Sequence, residues 1–437
     1  MSVEELLQYV PQIARYRREP LDDRENALSY WDDAAAGMVR LDDALYDELV
    51  GDDPDAWCLS FSVGEANIDR FRQFLENNRR TFELLHVGVR CDLTQFPELE
   101  EKGGSFSEHA ESMDPLTALA QAWSILAQSR IIDGDLTAAV SELVGLGQMG
   151  HIICCGEGLV MHYLVGSGIM DSALADICKL VAGHHVPATA LEELSAAIER
   201  WIVGADDVAQ CLRVDLCSYS LREIDRLAEC SGIEARVDGL LDRHYANEPI
   251  LDLRDEQTDE TDEDDGRLAW RRERILYLLE GHPAPFDTIA TVRLMGQLVA
   301  DYILDLEPSP WYSLGAQWGR VKRTYRRSRF RSRNRHWPSQ LSPSFLYEHL
   351  GPSEDALRNL AELKEHLPTD KWNQLKPPTD EQLDAARERI RAMPNALGIL
   401  VADALLAVNI APSEHRRRRQ LLAAKAAVSD VLATASE

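Results

Sequence analysis

From Pro115 to Val181 the chain is almost continuously apolar, and its apolar residues recur at helical spacing. A run of that length and period is buried by packing several long helices against one another, so it places the core and argues against a sheet protein. Within it, "LAQAWSILAQSRIIDGDLTAAVSELVGLGQ" predicts a hairpin of two helices. Gly134 lets the chain turn, and the small Ala139 lets the second helix approach the first. Trp123, Leu126, Gly134, Ala139 and Leu143 fall at the offsets of a tetratricopeptide hairpin. Advancing by the repeat length of about 34 residues gives Gly168, Ala173 and Ile177 but no tryptophan. One fair copy and one partial echo leave a generic helical hairpin as the competing description.

Helical periodicity also dominates the remainder. "VEELLQYVPQIARYRRE" starts a helix with a kink at Pro11, and "RENALSYWDDAAAGMVR" and "EANIDRFRQFLENNRRTFELLHVGV" predict further helices. Loop composition follows from Cys91 to Asp114. Helices are expected over about Ala188 to Val203, Asp206 to Cys230, Ile233 to Tyr245, Arg267 to Glu280, Phe286 to Leu306 and Pro310 to Arg331, then in "SEDALRNLAELKEHL", "DEQLDAARERIRAM" and two closing segments. The fold expected is all-α: packed helical hairpins, partly tetratricopeptide-like, in an irregular array. Residues 1–250 form an N-terminal hairpin region with its core at about 115–182. Residues 251–266 form an acidic loop or linker, and 267–437 a C-terminal helical region.

The order "ENALSYW", "QAWSILAQSRIIDGDLTAAVSELVGLGQMG", "LVMHYLVGSGIMDSALADI" and, near the end, "PNALGILVADALL" before a basic helix resembles a family of uncharacterised bacterial all-helical proteins with tetratricopeptide-like hairpins and no assigned activity. The motifs are packing signatures, so the resemblance implies a fold and carries over no functional residue.

Charge narrows the function classes. The formal net charge is −28, which argues against a general nucleic-acid or anionic-membrane surface. The N-terminus has early acids and no apolar h-region, so no signal peptide is expected. Eight cysteines include no C-x-x-C pair, which points to buried thiols in a reducing, cytoplasmic setting. "ALGILVADALLAVNIA" (396–411) is short for a membrane span and holds Asp403 near its middle, so a buried helix is expected instead.

Chemistry-bearing motifs are weak. "GLGQMG" matches G-x-G-x-x-G at Gly145, Gly147 and Gly150, but "LTAAVSELV" before it is helical, where the dinucleotide fingerprint needs a strand. A close helix crossing is the better account. "ELLH" (Glu83 to His86) is the one E-x-x-H in the chain, where a di-iron bundle needs two, so it reads as coincidence on an amphipathic helix. "HIICC" (151–155) and His184-His185 read as packed core and helix end; neither a metal nor a cofactor is expected. "HRRRR" (415–419) is expected to open the last helix after Pro412 and Ser413, an unfavourable place for cations beside the helix dipole.

The strongest charge anomaly lies further on. Between Arg320 and Arg335, nine of sixteen residues are cations: Arg320, Lys322, Arg323, Arg326, Arg327, Arg329, Arg331, Arg333 and Arg335. Trp311, Leu314, Trp318, Val321 and Tyr325 form the apolar stripe of a docked helix, of which these cations are the overhanging end. The run "DEQTDETDEDD" (255–265), eight acids in eleven residues, is the nearest partner in sequence. An acidic protein partner or self-association is the next, and nucleic acid or phospholipid the last. The function expected is therefore protein–protein interaction or scaffolding. The alternatives are a helical enzyme of unrecognised type and a polyanion binder acting through the 320–335 arm.

Overall fold

The long apolar run folds as three successive helices, α4 (Asp114–Ile132), α5 (Leu136–Cys155) and α6 (Val160–Gly183). The computed structural model of the chain describes residues 21–40, 68–96, 113–203, 208–244, 272–273, 275–306, 380–405 and 411–435. Among these the fold is all-α, with two isolated parallel bridges, Asn26 to Leu93 and Gln95 to Glu157, and no strand. The remaining described helices are α1 (Ala27–Gly37), α2 (Ile68–Asn77), α3 (Arg79–Gly88), α7 (Ala188–Val203), α8 (Val208–Asp215), α9 (Leu221–Glu229), α10 (Ile233–His244), α11 (Thr288–Leu306), α12 (Asp380–Arg391), α13 (Ala396–Leu405) and α14 (Ala411–Ala435). The Arg-rich arm at 320–335, the acidic run at 255–265 and the expected helix around Pro11 lie outside the described residues.

Contacts divide the chain into two compact units. One comprises Tyr16–Asp215, Ile303–Glu307 and Asn409–Glu437; the other comprises Met1–Arg15, Leu216–Tyr302 and Pro308–Val408. In the first, α5 packs on α4, on α6 most extensively, and on α7. The closing helix α14 lies across α6 and α7, while α1 pairs with α3 and rests on α4. Local chemistry sets the boundaries. The Asn26 side chain accepts from the Leu28 amide at the start of α1, and Asp135 accepts from Ala138 at the start of α5. Gly134 sits between α4 and α5 at φ 78°, a left-handed turn that strains any side-chain-bearing residue.

The α5–α6 crossing explains the "GLGQMG" glycines. Gly150 faces the Gly166 carbonyl and the Met170 amide, each 2.7 Å from where a Cβ would stand, and Gly166 faces the Gly150 carbonyl in return. Gly145 lies under the Trp123 ring and Gly147 under Trp201, whose Nε1 donates to Gln148 at 2.9 Å. These glycines are interior to a helix, and no strand precedes them. By length and composition α5 is apolar enough to cross a membrane, but 67% of that window is buried within the fold. Its apolarity is satisfied by neighbouring helices.

Two expected helices are interrupted. The segment from Glu65 to Val89 breaks at Asn78, which is fully buried. Its Oδ1 accepts from the Val39 amide at 2.8 Å, and its Nδ2 donates to the Val39 and Phe74 carbonyls at 3.0 Å each. The side chain thereby tethers the chain beyond α1 to the α2–α3 junction, a competition with the helix ladder that apolar periodicity does not register. Asn78→Ala is expected to destabilise by about 2 kcal/mol, since buried backbone groups lose their partners; thermal denaturation followed by circular dichroism measures it. The second interruption is a π-turn, Leu216–Ser220, between α8 and α9.

In the second unit, Arg226 pairs with the buried Glu223 and donates to the Gly239 carbonyl, joining α9 to α10. Arg387 on α12 pairs with Glu280, and the Tyr277 hydroxyl donates to Asp384. Asn395, at φ 58°, accepts from the Asp287 amide and exchanges hydrogen bonds with Thr291 at the start of α11. Leu397, Leu400 and Val401 of α13 are buried.

Candidate functional site

Glu142 is a carboxylate on the buried side of α5, where an unpartnered charge would be strongly unfavourable. It has partners from two other helices. Trp123 Nε1 on α4 donates to Glu142 Oε2 at 2.8 Å, and His86 Nε2 on α3 lies 2.9 Å from the same oxygen. Gly145 stands one turn beyond Glu142 and leaves room for the indole that reaches it. The imidazole meets the Trp123 ring edge-on, with centroids 5.2 Å apart. His86 Nδ1 lies 2.6 Å from the Phe82 carbonyl. The His86 pKa is raised above 6.5, first by the Glu142 bond, against burial and the Arg90 charge, which lower it. One carboxylate oxygen therefore gathers α3, α4 and α5, and a proton on His86 strengthens that junction.

A second cluster surrounds α14. The helix begins at Ala411, with Pro412 and Ser413 already inside its first turn, so His415–Arg419 do not open it as expected from the sequence. Proline is accommodated there because first-turn amides lack intrahelical acceptors. Arg417 is fully buried, with Nη1 4.0 Å from Met170 Sδ on α6. Its charge and that of Arg416 act on Asp171, yet burial prevails and raises that carboxyl to about 6. Burial, together with Arg417 and Arg200, lowers His151 to about 4, which leaves the ring neutral at pH 7.

The motif "HIICC" contains a close thiol–imidazole pair. Cys155 Sγ lies 3.7 Å from His151 Nδ1 and 3.8 Å from Nε2. A sulfur equidistant from both nitrogens lies along neither lone pair, unlike a nucleophile aligned on its base. Cys154 is buried and donates to the Tyr163 carbonyl. Asp176, also buried, accepts from Ser124 and Lys179, and burial raises its pKa. His184 caps the end of α6, its amide donating to the Leu180 carbonyl. Among the described residues, no group of three or more His, Cys, Asp or Glu side chains is placed to hold a metal ion.

The nine cations of the 320–335 arm lie outside the described residues. Of the weaker sequence features, Glu83 and His86 of "ELLH" part company. Glu83 pairs with the neighbouring Arg79 and Arg80, while His86 turns inward to Glu142. The sequence reading missed Glu142: its tryptophan partner stands 19 residues earlier, on another helix, and only the fold brings the two together. No protein-family model matches this chain, and neither the curated proteins nor the solved structures yield a match.

Proposed function

We propose that the protein is a helical interaction or scaffold protein that docks an acidic partner segment along the outward face of α14. The supporting observation is how one arginine run divides between interior and surface. Arg417 is buried against α6 and anchors the helix, whereas Arg416 and Arg419 are exposed. Leu422, 51% exposed, continues that outward side. Paired cations followed by an apolar residue suit an acidic amphipathic segment, for which charge gives steering and the leucine gives contact area. The chain's own acidity acts over longer distances, where salt at physiological strength screens it within about 8 Å. The tetratricopeptide-like stacking read from the sequence belongs to the same proposal, as does a soluble, cytoplasmic setting. Hairpin layers expose helix faces, and α14 is the face with a distinctive charge. The cations between Arg320 and Arg335 are a second basic run in the sequence.

Fluorescein-labelled polyglutamate is the probe, with binding followed by anisotropy. The intact chain is expected to bind, and Arg416→Glu with Arg419→Glu to weaken binding about tenfold. Failure of the intact chain to bind overturns the proposal. So does full binding by the double variant when replacement of Arg326, Arg327, Arg329 and Arg331 abolishes it. Tighter binding of duplex DNA at the same face would replace an acidic protein partner with nucleic acid.

A further inference from the structure

The His86 ring has an acceptor at both nitrogens: a carboxylate oxygen at Nε2 and a backbone carbonyl at Nδ1. A neutral imidazole carries one N–H, so one of the two contacts would then set a nitrogen lone pair against oxygen. Only the imidazolium donates to both. The Phe82 carbonyl is fixed by its helix, and Glu142 Oε2 is also held by Trp123, so neither acceptor is free to turn away. The charged groups bearing on the ring are Glu142 from α5 and Arg90 just beyond α3; α4 contributes the Trp123 indole.

We propose that His86 is a protonation-operated clamp, which as the imidazolium holds the α1–α3 layer on α4 and α5 and on losing its proton loosens that attachment. The position suits the role, because His86 links α3 to α5 while its ring is still reached by solvent, at 38% side-chain exposure. Protons can therefore exchange without prior unfolding. The sign follows from the raised pKa: the stabilisation is fully present below 6.5 and is lost as pH rises through the folded-state value. What loosens is a layer built on Trp31, Phe82 and Leu85, all buried, so the response is a partial opening of packed surface.

Amide hydrogen exchange on the intact chain, corrected for intrinsic rates, tests the clamp. Protection of residues 79–88 relative to α6 is expected to fall about tenfold between about pH 6 and pH 9, the scale of one charge-assisted hydrogen bond. His86→Gln, which can donate to Glu142 but has no proton to titrate, should be weakly protected at both pH values. His86→Arg, permanently charged, should be well protected at both. In the unaltered chain the Trp123 indole N–H resonance should titrate together with the His86 ring. Equal relative protection at the two pH values overturns the clamp, as does an unchanged pH response in His86→Gln. If that variant fails to fold, an indole resonance that ignores the His86 titration overturns it equally.

Discussion

Gly150→Val is expected to destabilise the first unit by about 3 kcal/mol, the upper part of the usual range for overpacking. The reason is that the added side chain meets backbone. The Gly166 carbonyl and the Met170 amide each lie 2.7 Å from the Cβ position, so relief requires α5 and α6 to separate. Separation would uncover the apolar surface buried between α5 and α6, the most extensively packed helix pair of the unit. Gly183→Ala is the control: nothing lies within 4 Å of its Cβ position, and the change should stay within about 0.5 kcal/mol. Chemical denaturation of both variants measures the contrast. A Gly150 variant as stable as the control would show that the crossing is looser than described.

Trp201→Ala is expected to cost about 4 kcal/mol, in the range for deletion of a large buried aromatic. The indole is fully buried, fills the space over Gly147 and donates to Gln148. Truncation leaves a cavity and strips Gln148 Oε1 of its donor. Gly147→Ala supplies a second reading. Alone it should destabilise, because the three atoms nearest its Cβ position all belong to the Trp201 ring, at 2.4 to 3.0 Å. In the Trp201→Ala background that obstacle is gone, so its effect should shrink or change sign. The double-mutant cycle reports the coupling directly. Additive effects would mean that the ring and the glycine do not share a site.

Much of the architecture was legible in the sequence because apolar period reports which residues seek the interior. The run from Pro115 to Val181 marked the core and the hairpin of α4 and α5 with its turn at Gly134, but not the start of α6, whose Gly168 is interior to the helix; the small residues of "GLGQMG" lie at a crossing. The break at Asn78 was not legible, since it depends on a side chain hydrogen-bonding to Val39, a residue brought near only by the fold. The π-turn at Leu216–Ser220 was hidden for a related reason: one extra residue in a turn barely disturbs a helical pattern. Arg417 stood in a run of like charges, and pattern alone gave no sign that one of them is buried. His86 and Glu142 each looked ordinary in its own helix. Their chemistry arises from the pairing, which a single chain's local spacing does not encode. The 320–335 arm, most conspicuous in the sequence, lies outside the described residues.

The lodging of α14 on α6 and α7 has a bearing on synthesis. Arg417 reaches Met170 across 247 residues of chain, and Leu421, Ala424 and Val428 complete a core begun by Ala127 and Ala139. As the nascent chain leaves the ribosome, α4 to α7 emerge long before the helix that covers them. Their apolar side must wait while the whole stretch between Val203 and Ala411 is translated. During that interval the incomplete unit exposes the surface α14 will occupy, as folds with long-range contacts do before those contacts form. Closing the first unit is therefore a late, long-range step, and its rate should depend more on loop closure than on helix formation.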